Sequence, residues 1–139
     1  MTPRERADRL FNIIMELDQR GRIDSVQFFA QMAIPAHLML PALDADARYH
    51  IGRIEQAARI PPFGSGQADT ILQANPTHLL GLILALQAAR SAGNERVAHD
   101  FTSRLLASVA EERRRKLPEY EGHKADIERA LSIAGTEPK

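Results

Sequence analysis

The chain's five histidines, His37, His50, His78, His99 and His123, are its natural candidates for metal binding and proton transfer, and no cysteine supplements them. Neutral imidazole ligates divalent metals and titrates closest to neutral pH of any side chain. Spacing limits what these five can do locally. No two of them stand three or four residues apart, so no helix face presents a histidine pair. Acidic neighbours at helical spacing do exist, as with Asp46 and His50, but such a pair supplies two ligands where zinc takes three or four from protein. The expectation is therefore surface or half-buried histidines, with no metal and no cofactor. His99-Asp100 has the dipeptide of metal phosphohydrolases without the rest of that site.

Other chemistry finds less support. Ser25, Ser65, Ser91, Ser103, Ser108 and Ser132 lack the strand-to-helix turn that exposes a nucleophilic hydroxyl. Gly64-Ser65-Gly66 follows no expected strand and reads as a loop or a helix start. Phosphate-loop and dinucleotide fingerprints are missing too. The absence of cysteine excludes thiolate catalysis, disulfides and Cys-ligated zinc. Arg113, Arg114, Arg115 and Lys116 form the one dense basic cluster, but cations at a helix C-terminus complement the helix dipole and need no ligand. With 18 acidic and 18 basic residues, no overall field draws the chain to nucleic acid or to an anionic membrane. Neither is expected as a partner. The N-terminus carries charges where a signal peptide needs an apolar stretch, so no export signal is expected and the cytoplasm is the expected compartment. The longest apolar run, residues 79–86, is less than half of the roughly 20 needed to span a bilayer.

The elements that would position these side chains are helices. Thr2, Pro3 and Glu5 form a capping-box start, and Leu10, Ile13, Ile14 and Leu17 follow on one stripe until Gly21 stops it. Asp24 and Gln27 repeat the device before Val26, Phe29, Ala30, Ala33 and His37, with a kink or break expected at Pro35. A third helix starts from Asp44 or Asp46 and places Ala47, Ile51, Ile54 and Ala58 inward. A short fourth covers Gln67 to Gln73, with a possible start near Pro62. Leu79, Leu82, Ile83 and Leu86 build a fifth that is apolar on much of its circumference. Asn94 caps a sixth carrying Val97, Phe101, Leu105 and Val109. Pro118 opens the last, with Tyr120, Ile127, Leu131 and Ala134 inward, and residues 135–139 read as a frayed tail. No stretch alternates like a strand, so the expected fold is all-α, one domain of seven helices in a bundle or a stack.

The stretch from Gln67 to Phe101 chooses between these. Asn75-Pro76, the apolar positions Leu82, Ala85 and Ala89, then Gly93-Asn94 and Ala98 resemble a tetratricopeptide repeat, whose 34-residue unit is a helical hairpin with small residues where its helices touch. Leu86 stands where that family usually has glycine. One unit earlier, Tyr49, Ile51 and Gly52 match the family's Y-x-L-G core, while Arg59 and Gly64 replace its usual turn glycine and packing alanine. Leu10, Ile13, Leu17, Gly21 and Ala33 carry a weaker first match, about one helical turn out of register. The resemblance implies three stacked hairpins, about residues 3–41, 44–75 and 77–116, and a capping helix at about 118–134. A lone hairpin cannot bury both faces, and stacking answers that.

In that family the inner surface is lined mainly by the first helix of each hairpin. Carried onto this chain, it comprises Phe11, Met15 and Asp18, then Tyr49, Arg53 and Gln56, then Ile83, Gln87 and Arg90, with Phe11 and Ile83 the readiest to be core instead. The resemblance implies a non-catalytic adaptor or scaffold that binds a peptide or a partner helix there. The family's carboxylate clamp of lysine, asparagine and arginine is not reproduced. Two alternatives stand beside this reading. One is a homodimer that finishes the burial of residues 79–86 or of the second helix. The other is a metal-dependent enzyme whose site gathers scattered polar residues, such as His50 with Asp46 or Arg53.

Overall fold

A computed structural model of the chain describes residues 1–136; the last three residues of the expected tail lie outside them. The described residues are all-helical, with eight helices and no strand: α1 (Pro3–Gln19), α2 (Ile23–Leu38), α3 (Ala45–Ala57), α4 (Ser65–Ala74), α5 (Leu79–Ser91), α6 (Glu95–Arg114), α7 (Pro118–Gly122) and α8 (Lys124–Gly135). None is long and apolar enough to cross a membrane.

Most helix starts follow the local chemistry of the sequence. Thr2 Oγ1 accepts from the Glu5 N–H at 3.0 Å while Glu5 Oε1 accepts from the Thr2 N–H, which closes the capping box of α1. Asp44 caps α3 by accepting from the Ala47 N–H at 2.8 Å, and Asn94 caps α6 through Val97. Four details depart from expectation. α2 begins at Ile23 without a side-chain cap, and Asp24 lies in its first turn, where its charge faces the positive helix end. α2 also runs unbroken through Pro35, which sits in the exposed last turn where water can satisfy the carbonyl it leaves unpaired. α4 starts at Ser65, set by the left-handed Gly64 before it and not by Pro62. Finally, the expected last helix is divided at His123 into α7 and α8, and α8 extends to Gly135.

Neighbours in sequence pack on one another from α1 to α6, and α3 also touches α1 and α5 on the other side. The short connections make packed neighbours antiparallel. Three apolar clusters result. One surrounds α5 and gathers Tyr49, Ile71, Leu105, Tyr120 and Ile127; a second holds Phe11, Ile14, Val26, Ala30 and Ile54; a small third joins Ala7, Leu40 and Ala47. α3 contributes to all three, so it is the keel of the molecule. Residues 79–86 are buried at every position and leave nothing for a second copy to cover. Glu112, in the basic end of α6, is buried as well: it accepts from the hydroxyls of Tyr120 at 2.6 Å and Thr77 at 2.7 Å. Thus one carboxylate ties the α6 end to both the α4–α5 turn and α7. The α7–α8 segment packs against α5 and α6, and the N-terminal end of α8 reaches farther, to α3.

Glycine permits the closest approach in this core. A Cβ on Gly52 would lie 2.5 Å from Leu84 Cδ2, and one on Gly64, at φ +81°, would lie 2.7 Å from the Gly52 Cα. Gly93, at φ +76°, has open space around it. Gly64→Ala is expected to lower unfolding free energy by about 2–4 kcal/mol in urea melts, against about 1 kcal/mol for Gly93→Ala, because it adds a backbone clash to the shared left-handed strain. Equal losses would contradict that close contact.

Candidate functional site

α1, α3 and α8 leave an open pocket of about 460 Å³ between them. From α1 come Asp8, Phe11, Met15 and Asp18, which recur every three or four residues and so share one face. α3 adds Asp46, His50 and Arg53, and the α7–α8 segment adds His123, Asp126 and Arg129. His123 stands at the break between α7 and α8, where the chain leaves helical geometry at φ −121° and ψ 29°.

Asp126 joins α8 to α3. Its Oδ2 accepts from the Tyr49 hydroxyl at 2.8 Å and from Arg53 Nη1 at 2.6 Å, and the same Arg53 nitrogen donates to the Tyr49 oxygen. Burial acts to raise the Asp126 carboxyl, but the Arg53 charge and the Tyr49 hydroxyl outweigh it and hold it below its usual range. The Tyr49 hydroxyl is pushed upward by burial, so it stays a donor at neutral pH.

Beside this knot runs a line of three imidazoles. His37 Nδ1 lies 2.7 Å from the Ala33 carbonyl, His37 Nε2 lies 3.2 Å from His50 Nδ1, and His50 Nε2 lies 3.2 Å from His123 Nε2. A carbonyl only accepts, so His37 carries its proton on Nδ1 and offers a lone pair at Nε2. His50 then donates from Nδ1, which leaves its own Nε2 as a lone pair. His123 Nε2 is 2.7 Å from Asp46 Oδ1 and donates to it. Phe11 stacks on the His50 ring, with centroids 3.8 Å apart and planes 4° from parallel. Burial pushes His50 down to about 3 against the opposing charge of Asp46, and burial lowers His37 against its bond to Ala33. Asp46 is held well below its usual range, because the His123 hydrogen bond, the nearby histidines and Arg4 together overcome its burial.

Of the nine residues expected on the inner surface, Phe11, Met15, Asp18 and Arg53 line this pocket. Gln87 and Arg90 line a small adjoining cleft that shares Arg53, Asp126 and Arg129 with it. The other three line neither hollow. Tyr49 and Ile83 have no exposed area, and Gln56 Nε2 donates to the carbonyls of Phe63 and Leu84. Tyr49 faces α8, and Ile83 is enclosed because α5 has neighbours all round. The histidine expectation also needs correction. His37, His50 and His78 are buried; His78 caps α5 by accepting at Nδ1 from the Leu80 and Gly81 N–H groups, and its Nε2 donates to Glu119 at 2.9 Å. His99 alone is exposed. The two-ligand limit drawn from Asp46 and His50 fails too, because folding brings His123 to them across 73 residues of chain. Among the described residues, Asp46, His50 and His123 form one set able to hold a metal ion, and Asp8, His37 and His50 form a second. No local spacing announces His123 or Asp126 as partners of α3.

The buried histidines give stability a definite pH dependence. In the unfolded chain His37 and His50 take up protons near pH 6.5, whereas in the fold, facing Asp8, Asp46, Arg4 and His123, they stay neutral to lower pH. The unfolded state therefore binds more protons below that point, and stability falls as pH drops from about 6.5 towards 3. Urea melts of the metal-free protein should lose about 2 kcal/mol or more between pH 7 and pH 5, with further loss below about pH 4, where Asp46 and Asp126 take up protons in the unfolded chain but not in the fold. A flat profile from pH 7 to 5 would contradict neutral burial of this pair. No protein-family model matches the chain, and no curated protein or solved structure matches it either.

Proposed function

We propose that the chain is a non-catalytic, tetratricopeptide-like interaction module of the cytoplasm, with α1–α2, α3–α4 and α5–α6 as its hairpins. Supporting this reading are the order of helix contacts and the burial of the small residues Gly52 and Ala98. α8 lies along part of the face that a partner would use, beside Gln87 and Arg90, and the α1 end of that face is open. The partner docks at this open end.

The observation that carries the proposal is the lining of that end. Phe11 and Met15 give it an apolar floor, and Asp8, Asp18, Asp46 and Asp126 set four carboxylates against Arg53 and Arg129. Arg53 and Arg129 both face Asp126, and Arg4 bridges Asp8 and Asp46, so four carboxylates meet three cations and the excess is one negative charge, with Asp18 the exposed carboxylate of the four. An extended segment of a partner protein that carries a lysine or arginine beside an apolar side chain fits this chemistry.

Titration of EDTA-treated protein with labelled peptides tests it. Basic-apolar peptides should bind, their acidic analogues should not, and the double variant Asp18→Asn/Met15→Ala, checked for helical content, should weaken binding about tenfold, or roughly 1.4 kcal/mol. Equal binding of basic and acidic peptides, or an unaffected variant, would reject docking at this end.

A further inference from the structure

The geometry points to a binding site for a divalent transition-metal ion of the zinc class, with Asp46 Oδ1, His50 Nε2 and His123 Nε2 as its ligands. These atoms form a triangle with edges of 2.7, 3.2 and 3.6 Å. Its circumscribed radius is about 1.9 Å, so an ion just off their plane lies at the usual 2.0–2.2 Å bond length from all three. Only the 2.7 Å edge, now a hydrogen bond, must widen, towards the roughly 3.3 Å that separates tetrahedral ligand atoms. Two imidazole nitrogens and one carboxylate oxygen select zinc, cobalt or iron over magnesium and calcium, which take oxygen ligands.

The surroundings are those of a supported metal site. Ligating histidines normally donate their second ring N–H to a fixed acceptor, which sets the tautomer and orients the ring. His50 meets this through Nδ1, which donates to His37 Nε2, itself locked by the Ala33 carbonyl. Asp8 Oδ1, which pairs with Arg4 Nε at 3.4 Å, lies 3.6 Å from the same His50 nitrogen and adds a carboxylate beside that ring. The Asp46 oxygen left over is held by Arg4. For His123, binding requires one proton to leave Nε2; it moves to Nδ1, which faces Asp126 Oδ2 at 3.9 Å. At Asp8, His37 and His50 an ion would displace the proton that His50 Nδ1 donates to His37 Nε2 and so break the bond that orients His50, which favours the first set.

Because all three ligands line the open pocket, water from it completes the coordination. The ion would bridge α3 to the joint between α7 and α8, and so stabilise the fold by mass action. The site does not rest on peptide docking, which is tested in chelator.

Metal-stripped protein titrated with Co²⁺ at pH 7.5 should develop visible ligand-field absorption that saturates at one equivalent, and Zn²⁺ should displace it and raise Tm. His123→Gln and Asp46→Asn, checked for helical content, should each weaken Co²⁺ binding by at least about 100-fold, and His37→Phe by about 10- to 100-fold. His99→Gln should bind as wild type does, and Mg²⁺ should leave Tm unchanged. A hydrogen-bonded tether without metal function predicts no ligand-field bands in the wild type, and that result would overturn the site. Undiminished affinity in both His123→Gln and Asp46→Asn would overturn it equally.

Discussion

A half-buried carboxylate needs a partner, and the pairing of Asp126 decides how this molecule closes. An ionised group taken out of water costs several kcal/mol unless charge and hydrogen bonds compensate it. Asp126 on α8 meets both needs on one helix, since Arg53 and Tyr49 stand one turn apart on α3. That match fixes the position and rotation of α8 against α3. Apolar contacts of Ile127 and Ala134 with the core hold the helix down without specifying which residue faces which. The ion pair adds the register.

The rest of the site follows from that register. With Asp126 seated on α3, the α7–α8 joint three residues earlier comes to lie against His50 and Asp46, and His123 completes the imidazole line. The same placement leaves α1 uncovered on its Asp8, Phe11, Met15 and Asp18 face, which becomes one wall of the pocket. One contact thus produces a polar centre with fixed tautomers and an open cleft beside it. Ligand capture at the cleft and metal capture at its base are separate consequences of one helix position.

The local parts of this structure were legible in the sequence, and the long-range polar parts were not. Capping at Thr2, Asp44 and Asn94 depends on residues three apart, and the buried circumference of α5 shows in an unbroken apolar run. The division of the last helix at His123 has only Gly122 as its mark, and a lone glycine inside a helical pattern does not force a break. Tyr49 and Arg53 were legible as members of one face, yet that face is answered by Asp126, 73 residues beyond Arg53, and charge pattern within a helix says nothing of so remote a partner. His50 and Asp46 were visible as a pair for the same local reason, and His123 was not visible as their third member. Glu112 was hidden in a run of exposed charges, since only its turn of α6 faces Tyr120 and Thr77.

The most direct measurement of the central pairing is a double-mutant cycle on Arg53→Met and Asp126→Asn, read by urea unfolding at pH 7.5. A half-buried, hydrogen-bonded pair that sets the α8 register predicts a coupling of about 1–3 kcal/mol between the two substitutions. Additivity within about 0.5 kcal/mol would show that α8 is held by its apolar face alone, and would contradict the account.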